Sequence, residues 1–316
     1  MLARLFNNLT VQSLASALLM SFMVVGVASF LHLYTPAELF IGGWSVTISP
    51  FVFRLSVTLL IPLYSTWFNG LLIRQGFLKG HHYMIPILSI VLWLFGCYEN
   101  YPSVLLILPL LILLIGQVLS LITAGSGVLQ IIFNIGFLTG IGSVFFPPIL
   151  VFLVVCWVSV ILFGHFNLRS VIIPVVGLAA FYFLMYTGYF FFTDQSFKEV
   201  LWEMLIQYRL STLDLDIMAI WPYFFLTIAV LMSLLEYIKA LNHAKIQKRQ
   251  FLNFNAALLV LGLALFIPIQ SPWAGEIIMA FPVAVFLSNL VQYVNKWWMK
   301  DLVYLSLIVT LVFVVL

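Results

Sequence analysis

"VLLILPLLILLIGQVLSLI", residues 104–122, decides the fold. It carries no charge and does not alternate between apolar and polar positions. At 1.5 Å per residue a helix of this length reaches about 28 Å, close to the ~30 Å hydrocarbon core of a bilayer. A membrane β-strand would be about ten residues long and would alternate, so the stretch reads as an α-helical span. Runs of the same kind recur along the whole 316-residue chain, which is 64% hydrophobic and only 7% charged. Soluble domains carry about 25% charged residues. So few charges cannot coat a protein of this size, and most of its surface must face something other than water. The composition predicts an all-α, polytopic transmembrane helix bundle.

Working outward from residues 104–122 marks eleven spans, at 11–34, 50–73, 83–98, 102–122, 128–146, 148–164, 171–192, 217–240, 251–270, 277–294 and 302–316. "ENYP" and "FPP" separate neighbouring spans as tight turns, because proline cannot continue a helix ladder. Pro62, Pro109, Pro174, Pro222, Pro268 and Pro282 fall inside or near the ends of spans, where packed neighbours can re-satisfy freed carbonyls. The first run is too long for a signal-peptide core and reads as a retained helix. No internal repeat or linker appears, so residues 1–316 form one membrane domain. Cys97 and Cys156 give neither a disulfide framework nor metal spacing and read as apolar filler. No basic stripe suited to nucleic acid is present.

Alternating the spans from a cytoplasmic N-terminus assigns the loops to sides. Arg4, Arg74, Lys79, Arg169, Lys239, Lys245, Lys248, Arg249, Lys296 and Lys300 then lie inside, ten of the 13 basic residues. The positive-inside rule selects this orientation. Glu38, Glu99, Asp194, Glu199, Glu203, Asp214, Asp216 and Glu276 fall outside. Five of the ten acids sit in "TDQSFKEVLWEMLIQYRLSTLDLD", residues 193–216, between the seventh and eighth spans. Within it "SFKE" is a capping box on Ser196 and Glu199. Phe197, Val200, Leu201, Met204, Leu205 and Tyr208 then recur on one face, which predicts a short amphipathic helix along the outer membrane boundary.

Charges close to the membrane core are costly, which makes them functional candidates. Arg54 stands about one turn into the second span, where it either snorkels to the interface or pairs with a carboxylate or a lipid-borne phosphate. Glu38, in "TPAELFIGGW", is the only acid of the first outer loop. It is either solvated or, facing a cavity shared with Arg54, tuned to act as a general base. Arg209 is a second cation on the outer side. Asp214 and Asp216 offer spaced carboxylates, too few by themselves for a cation site. The histidines are scattered over different loops and make no metal site. Asn134, Gln117 and Asn289 lie within spans and could bridge helices. Trp221, Trp273, Trp297 and Trp298 suit aromatic belts, and "LNHAKIQKRQ" reads as a basic cytoplasmic loop suited to anionic lipid. No phosphate-cradling glycine loop, nucleophile elbow, zinc helix motif or nucleotide-binding domain is present, and no cofactor is implied.

The stretch 145–194 carries a resemblance in its aromatic-proline entry, its "FNLRSVIIPVVG" and its tyrosine-rich continuation. With "RQGFLKG" and "FPVAVFLSNL" it resembles an uncharacterised family of polytopic inner-membrane proteins from Bacteroidota. Ser170 and Val171 depart from that family's acid and tryptophan. The resemblance implies a multi-pass place in a bacterial inner membrane, in contact with membrane lipids, and no defined activity. A looser, architectural likeness is to multi-span glycosyltransferases that use polyprenyl-phosphate-linked sugars. These place acids in the first outer loop and an amphipathic segment after the seventh span. By that likeness Glu38 would be the base, Arg54 or Arg209 would neutralise the phosphate, and Asp214 and Asp216 would line the acceptor entrance. The first outer loop is short for that class, and Glu38 has no paired acid. Two alternatives stand beside it: a non-catalytic scaffold or accessory subunit of a cell-envelope machine, and a secondary transporter.

Overall fold

The computed structural model describes residues 14–23, 37–41, 44–78, 83–97, 103–192, 224–266, 273–294 and 296–315. Among these, α1 is Leu14–Met23. An antiparallel hairpin, β1 (Ala37–Ile41) and β2 (Trp44–Ile48), follows. Then come α2 (Pro50–Arg74), α3 (Met84–Leu92), α4 (Ser103–Thr123), α5 (Val128–Phe145), α6 (Val151–Leu162) and α7 (Leu168–Phe192). The remaining helices are α8 (Phe224–His243), α9 (Ile246–Phe266), α10 (Trp273–Tyr293) and α11 (Trp297–Val315). A π-helical turn, Trp93–Cys97, extends α3, and a 3₁₀ turn, Pro147–Leu150, leads into α6. Each of the eleven apolar runs read from the sequence overlaps one of these helices. Five of the helices are long and apolar enough to cross a membrane.

Two departures from the sequence reading matter. The connection between the first two runs contains the hairpin, the one element among the described residues that is not helical. The basic stretch after the eighth run is not a loop. Only Ala244 and Lys245 separate α8 from α9, and Lys248 and Arg249 lie in the first turn of α9. Lys239 lies on α8, 2.7 Å from Glu236 one turn back. The amphipathic segment expected at residues 196–208, and with it Arg209, Asp214 and Asp216, lies outside the described residues.

The chain folds around α3 and α10. Every residue of α3 is buried, and 89% of the apolar window of α10 is enclosed. Helices that are apolar all round belong inside a bundle. Phe68 of α2 meets Phe281 of α10 edge-on, with centroids 5.0 Å apart. The indole of Trp93 donates to Ser21 Oγ at 3.0 Å and so ties α1 to the core. Pro62, Pro109, Pro174 and Pro282 all lie inside helices, as the spans required.

Helix directions follow from the contacts. Tyr64 Oη donates to Leu105 O at 3.1 Å, and Gln75 Nε2 donates to Gly116 O at 3.5 Å. Both pairs are 41 residues apart, so α2 and α4 run parallel with α3 returning between them. In the same way α5 and α7 run parallel, with α6 between. Gly136 lies against Pro174 and Gly140 against Phe181, and the hydroxyls of Ser143 and Tyr182 are 2.8 Å apart. A Cβ on Gly136 would stand 2.0 Å from Pro174 O, and one on Gly177 would stand 2.4 Å from Phe133 O. This is backbone-to-backbone packing of the kind membrane helices reach only with small residues.

Candidate functional site

The clearest electrostatic feature is one end of the bundle. Phe77, just past α2, stacks on Phe251 of α9 with centroids 4.5 Å apart. Phe163, at the end of α6, lies 6.4 Å from Phe254. His165 Nε2 reaches Leu121 O, near the end of α4, at 3.0 Å. Lys300, in the first turn of α11, stands over the rings of Tyr83 and Trp297 at 5.5 and 5.0 Å. These contacts bring together the exits of α2, α4 and α6 and the entrances of α3, α7, α9 and α11. Arg74, Arg169, Lys245, Lys248, Arg249, Lys296 and Lys300 are thereby collected at one end. Long cationic side chains can lay their stems on apolar helix surface and keep the charge in water. This is why the charges ride on helix ends where the sequence reading put them in loops.

The opposite end holds the first two candidates. In the hairpin Glu38 is opposite Thr47, and Ala37 is opposite Ile48. Glu38 is thus one residue from the open base of the hairpin, which passes through Ser49 directly into α2. Arg54 lies on the first turns of α2. The chain therefore carries Glu38 and Arg54 to the same end, although their side chains lie outside the described residues. Glu276 also belongs to this end of the chain path, in the first turn of α10.

Between the ends, several buried polar groups among the described residues are spent on one another or on backbone carbonyls. Ser89 Oγ lies 3.0 Å from Ser65 Oγ across α2 and α3. The indole of Trp157 donates to Val171 O at 3.0 Å, and Tyr237 Oη donates to Asn253 Oδ1 at 3.1 Å. These bridges use residues other than the three amides the sequence suggested. Asn289 is only 8% exposed, and neither atom of its amide meets a hydrogen-bond partner among the described residues. A buried polar group without a partner costs about 1–3 kcal/mol. Asn289→Leu is accordingly expected to raise thermal stability in detergent by about 1 kcal/mol or more. A stability loss in the leucine variant would mean that the amide is satisfied in the folded protein. Cys156 is a buried free thiol, in keeping with an apolar filler.

Fold and charge together define a helical protein with candidate membrane-spanning helices and one basic end. A family model, "Family of unknown function (DUF6427)", matches residues 15–316. The chain belongs to this DUF6427 family, whose function is unknown. No curated protein and no solved structure matches it.

Proposed function

We propose that this is a multi-pass protein of a bacterial inner membrane whose basic end faces the cytoplasm and which acts at the opposite face on a polyprenyl-phosphate-linked sugar. The observation that carries the orientation is the collection of seven cations at one end of the bundle, since cytoplasmic ends of membrane helices are enriched in Lys and Arg. At the other end Glu38 takes the proton of an acceptor hydroxyl. The acceptor oxygen bonds to the sugar carbon while that carbon's bond to phosphate breaks. The polyprenyl phosphate leaves with its charge held by Arg54 or Arg209, because a guanidinium matches phosphate oxygens with two parallel hydrogen bonds. Asp214 and Asp216 line the acceptor entrance. Support for pairing Glu38 with Arg54 comes from the hairpin register, which returns Glu38 to the start of α2.

Orientation and chemistry are tested separately. In a background without Cys97 and Cys156, a cysteine at Lys245 is expected to react with a membrane-impermeant maleimide only after the cells are opened. A cysteine at Asp214 is expected to react in intact cells. The reverse pattern would invert the map and remove the site with it. For the chemistry, Glu38→Gln is expected to lower transfer by about 100-fold or more, the usual worth of a general base, and Arg54→Leu to lower it too, by removing charge-assisted hydrogen bonds to the leaving phosphate. The measurement is the yield of glycosylated envelope product in cells.

A second reading, an accessory subunit of an envelope assembly, is favoured by α7. Only 17% of its apolar window is buried, and Phe183, Tyr186, Phe190 and Phe191 are exposed along it. Unchanged glycans in both variants would leave this reading in place of the first.

A further inference from the structure

α8, α10 and α11 leave a groove of about 130 Å³ that starts at the entrance of α11. Its walls include Ile228, Ala229 and Met232 of α8, Leu290 of α10, and Trp298 and Leu302 of α11. Ser306 closes the far end, and its hydroxyl is already spent on Val303 O at 2.8 Å. Apolar cavities of about 150 Å³ stay dry and accept benzene-sized guests, so the groove suits hydrocarbon and not water. From Trp298 to Ser306 it runs about 12 Å along α11. Met232 and Leu302 are both exposed, so the groove opens sideways.

Charge stands at its mouth. Lys296 is exposed and caps the turn that carries the groove wall, with Met299 N donating to Lys296 O at 3.2 Å. Lys300, in the same turn, is turned instead onto the Tyr83 and Trp297 rings, which are not groove walls, and Lys296 is the charge beside the groove. Moving an acyl chain from bilayer to groove gains no hydrophobic energy, because both are apolar. Selection must therefore come from the headgroup, and the headgroup that complements the Lys296 ammonium is anionic.

We propose that this groove seats one acyl chain of an anionic phospholipid from the surrounding bilayer, with its phosphate against Lys296. The inference rests on the membrane reading above, and retention in the membrane fraction after alkaline carbonate tests that reading independently. The lipid site is tested in vesicles doped with either phosphatidylglycerol or phosphatidylcholine brominated on the acyl chain. The readout is quenching of the Trp298 fluorescence, taken as the difference between the wild type and Trp298→Phe. Phosphatidylglycerol is expected to quench this component about fivefold more effectively at low mole fraction, the preference one lysine gives at an anionic surface. Lys296→Gln should bring the preference close to one and leave quenching by phosphatidylcholine unchanged. Ala229→Phe, which fills the groove, should lower quenching by both lipids. Leu302→Tyr, at an exposed position, does the same work where Ala229→Phe does not fold. Equal quenching by the two lipids in the wild type, or undiminished quenching in a filled groove, would overturn the proposal. So would a protein that runs as a dimer with Trp298 shielded from both lipids, which would put a second copy in the groove.

Discussion

Gly136→Leu is expected to destabilise the protein by about 3 kcal/mol or more, the upper end of overpacking costs, and to lower the yield of folded material in the membrane. Even the first side-chain carbon would stand 2.0 Å from Pro174 O, whereas carbon and oxygen settle at about 3.3–3.6 Å. The obstacle is backbone, so no rotamer change relieves it and α5 must separate from α7. The series grades the effect. Gly177→Ala meets Phe133 O at 2.4 Å and should cost nearly as much as Gly136→Ala, about 1–3 kcal/mol. Gly140→Ala meets Phe181 Cβ at 2.8 Å, a shallower overlap than those with the two carbonyl oxygens, and should cost less. Gly188→Ala, on α7 with Gly177, meets nothing within 4 Å and should be neutral or stabilising by up to about 1 kcal/mol. Because Gly136 and Gly177 hold one contact, the double alanine variant should cost less than the sum of the two. Thermal unfolding in detergent reads all of these. Equal melting temperatures for Gly136→Leu and Gly188→Ala would refute the close approach of the two helices.

Trp93→Ala is expected to cost about 3–5 kcal/mol, the range for emptying a large core site. Trp93 is among the largest fully buried side chains, at 1% exposure. It also carries the hydrogen bond to Ser21 that anchors α1. Trp93→Phe keeps most of the volume and loses that bond, so it should cost about 0.5–1.5 kcal/mol, and Ser21→Ala about as much. Protease sensitivity near residue 14 distinguishes the two roles. It should rise in Ser21→Ala and Trp93→Phe, where the tether is cut while the core stays filled. If both remain as resistant as the wild type, α1 is held by packing alone.

The helices were legible because an apolar run of about 20 residues has few other uses, and each of the eleven runs overlaps one. Their ends were less legible. Lys248, Arg249 and Lys300 lower the hydropathy of the turn they occupy, so a reading by composition stops short of α9 and α11. Sterically, nothing keeps a lysine out of a first helical turn. The hairpin was missed although "AELFIGGWSVTI" carries a two-glycine signal between β-prone stretches. In so apolar a chain the segment reads as a connection between spans. The α5–α7 contact had a signal as well, since Gly136 and Gly140 form a G-x-x-x-G pattern inside an apolar run. Its partner Gly177 is 41 residues from Gly136, and pairing across such a distance requires the fold. At the candidate site the residue types could be read, because a charge beside apolar sequence stands out. The return of the chain from Glu38 to the start of α2 could not, since it depends on the Glu38–Thr47 register.

The helix that the others enclose, α10, is the last but one in chain order among the described helices. A ribosome therefore delivers the perimeter before the axle. Until residues 273–293 emerge, α3 has no companion for one flank, and Phe68 lacks the ring it finally meets. Assembly of this molecule is thus a late, concerted closing around a newcomer, and premature termination anywhere upstream would leave a hollow shell for membrane quality control to remove.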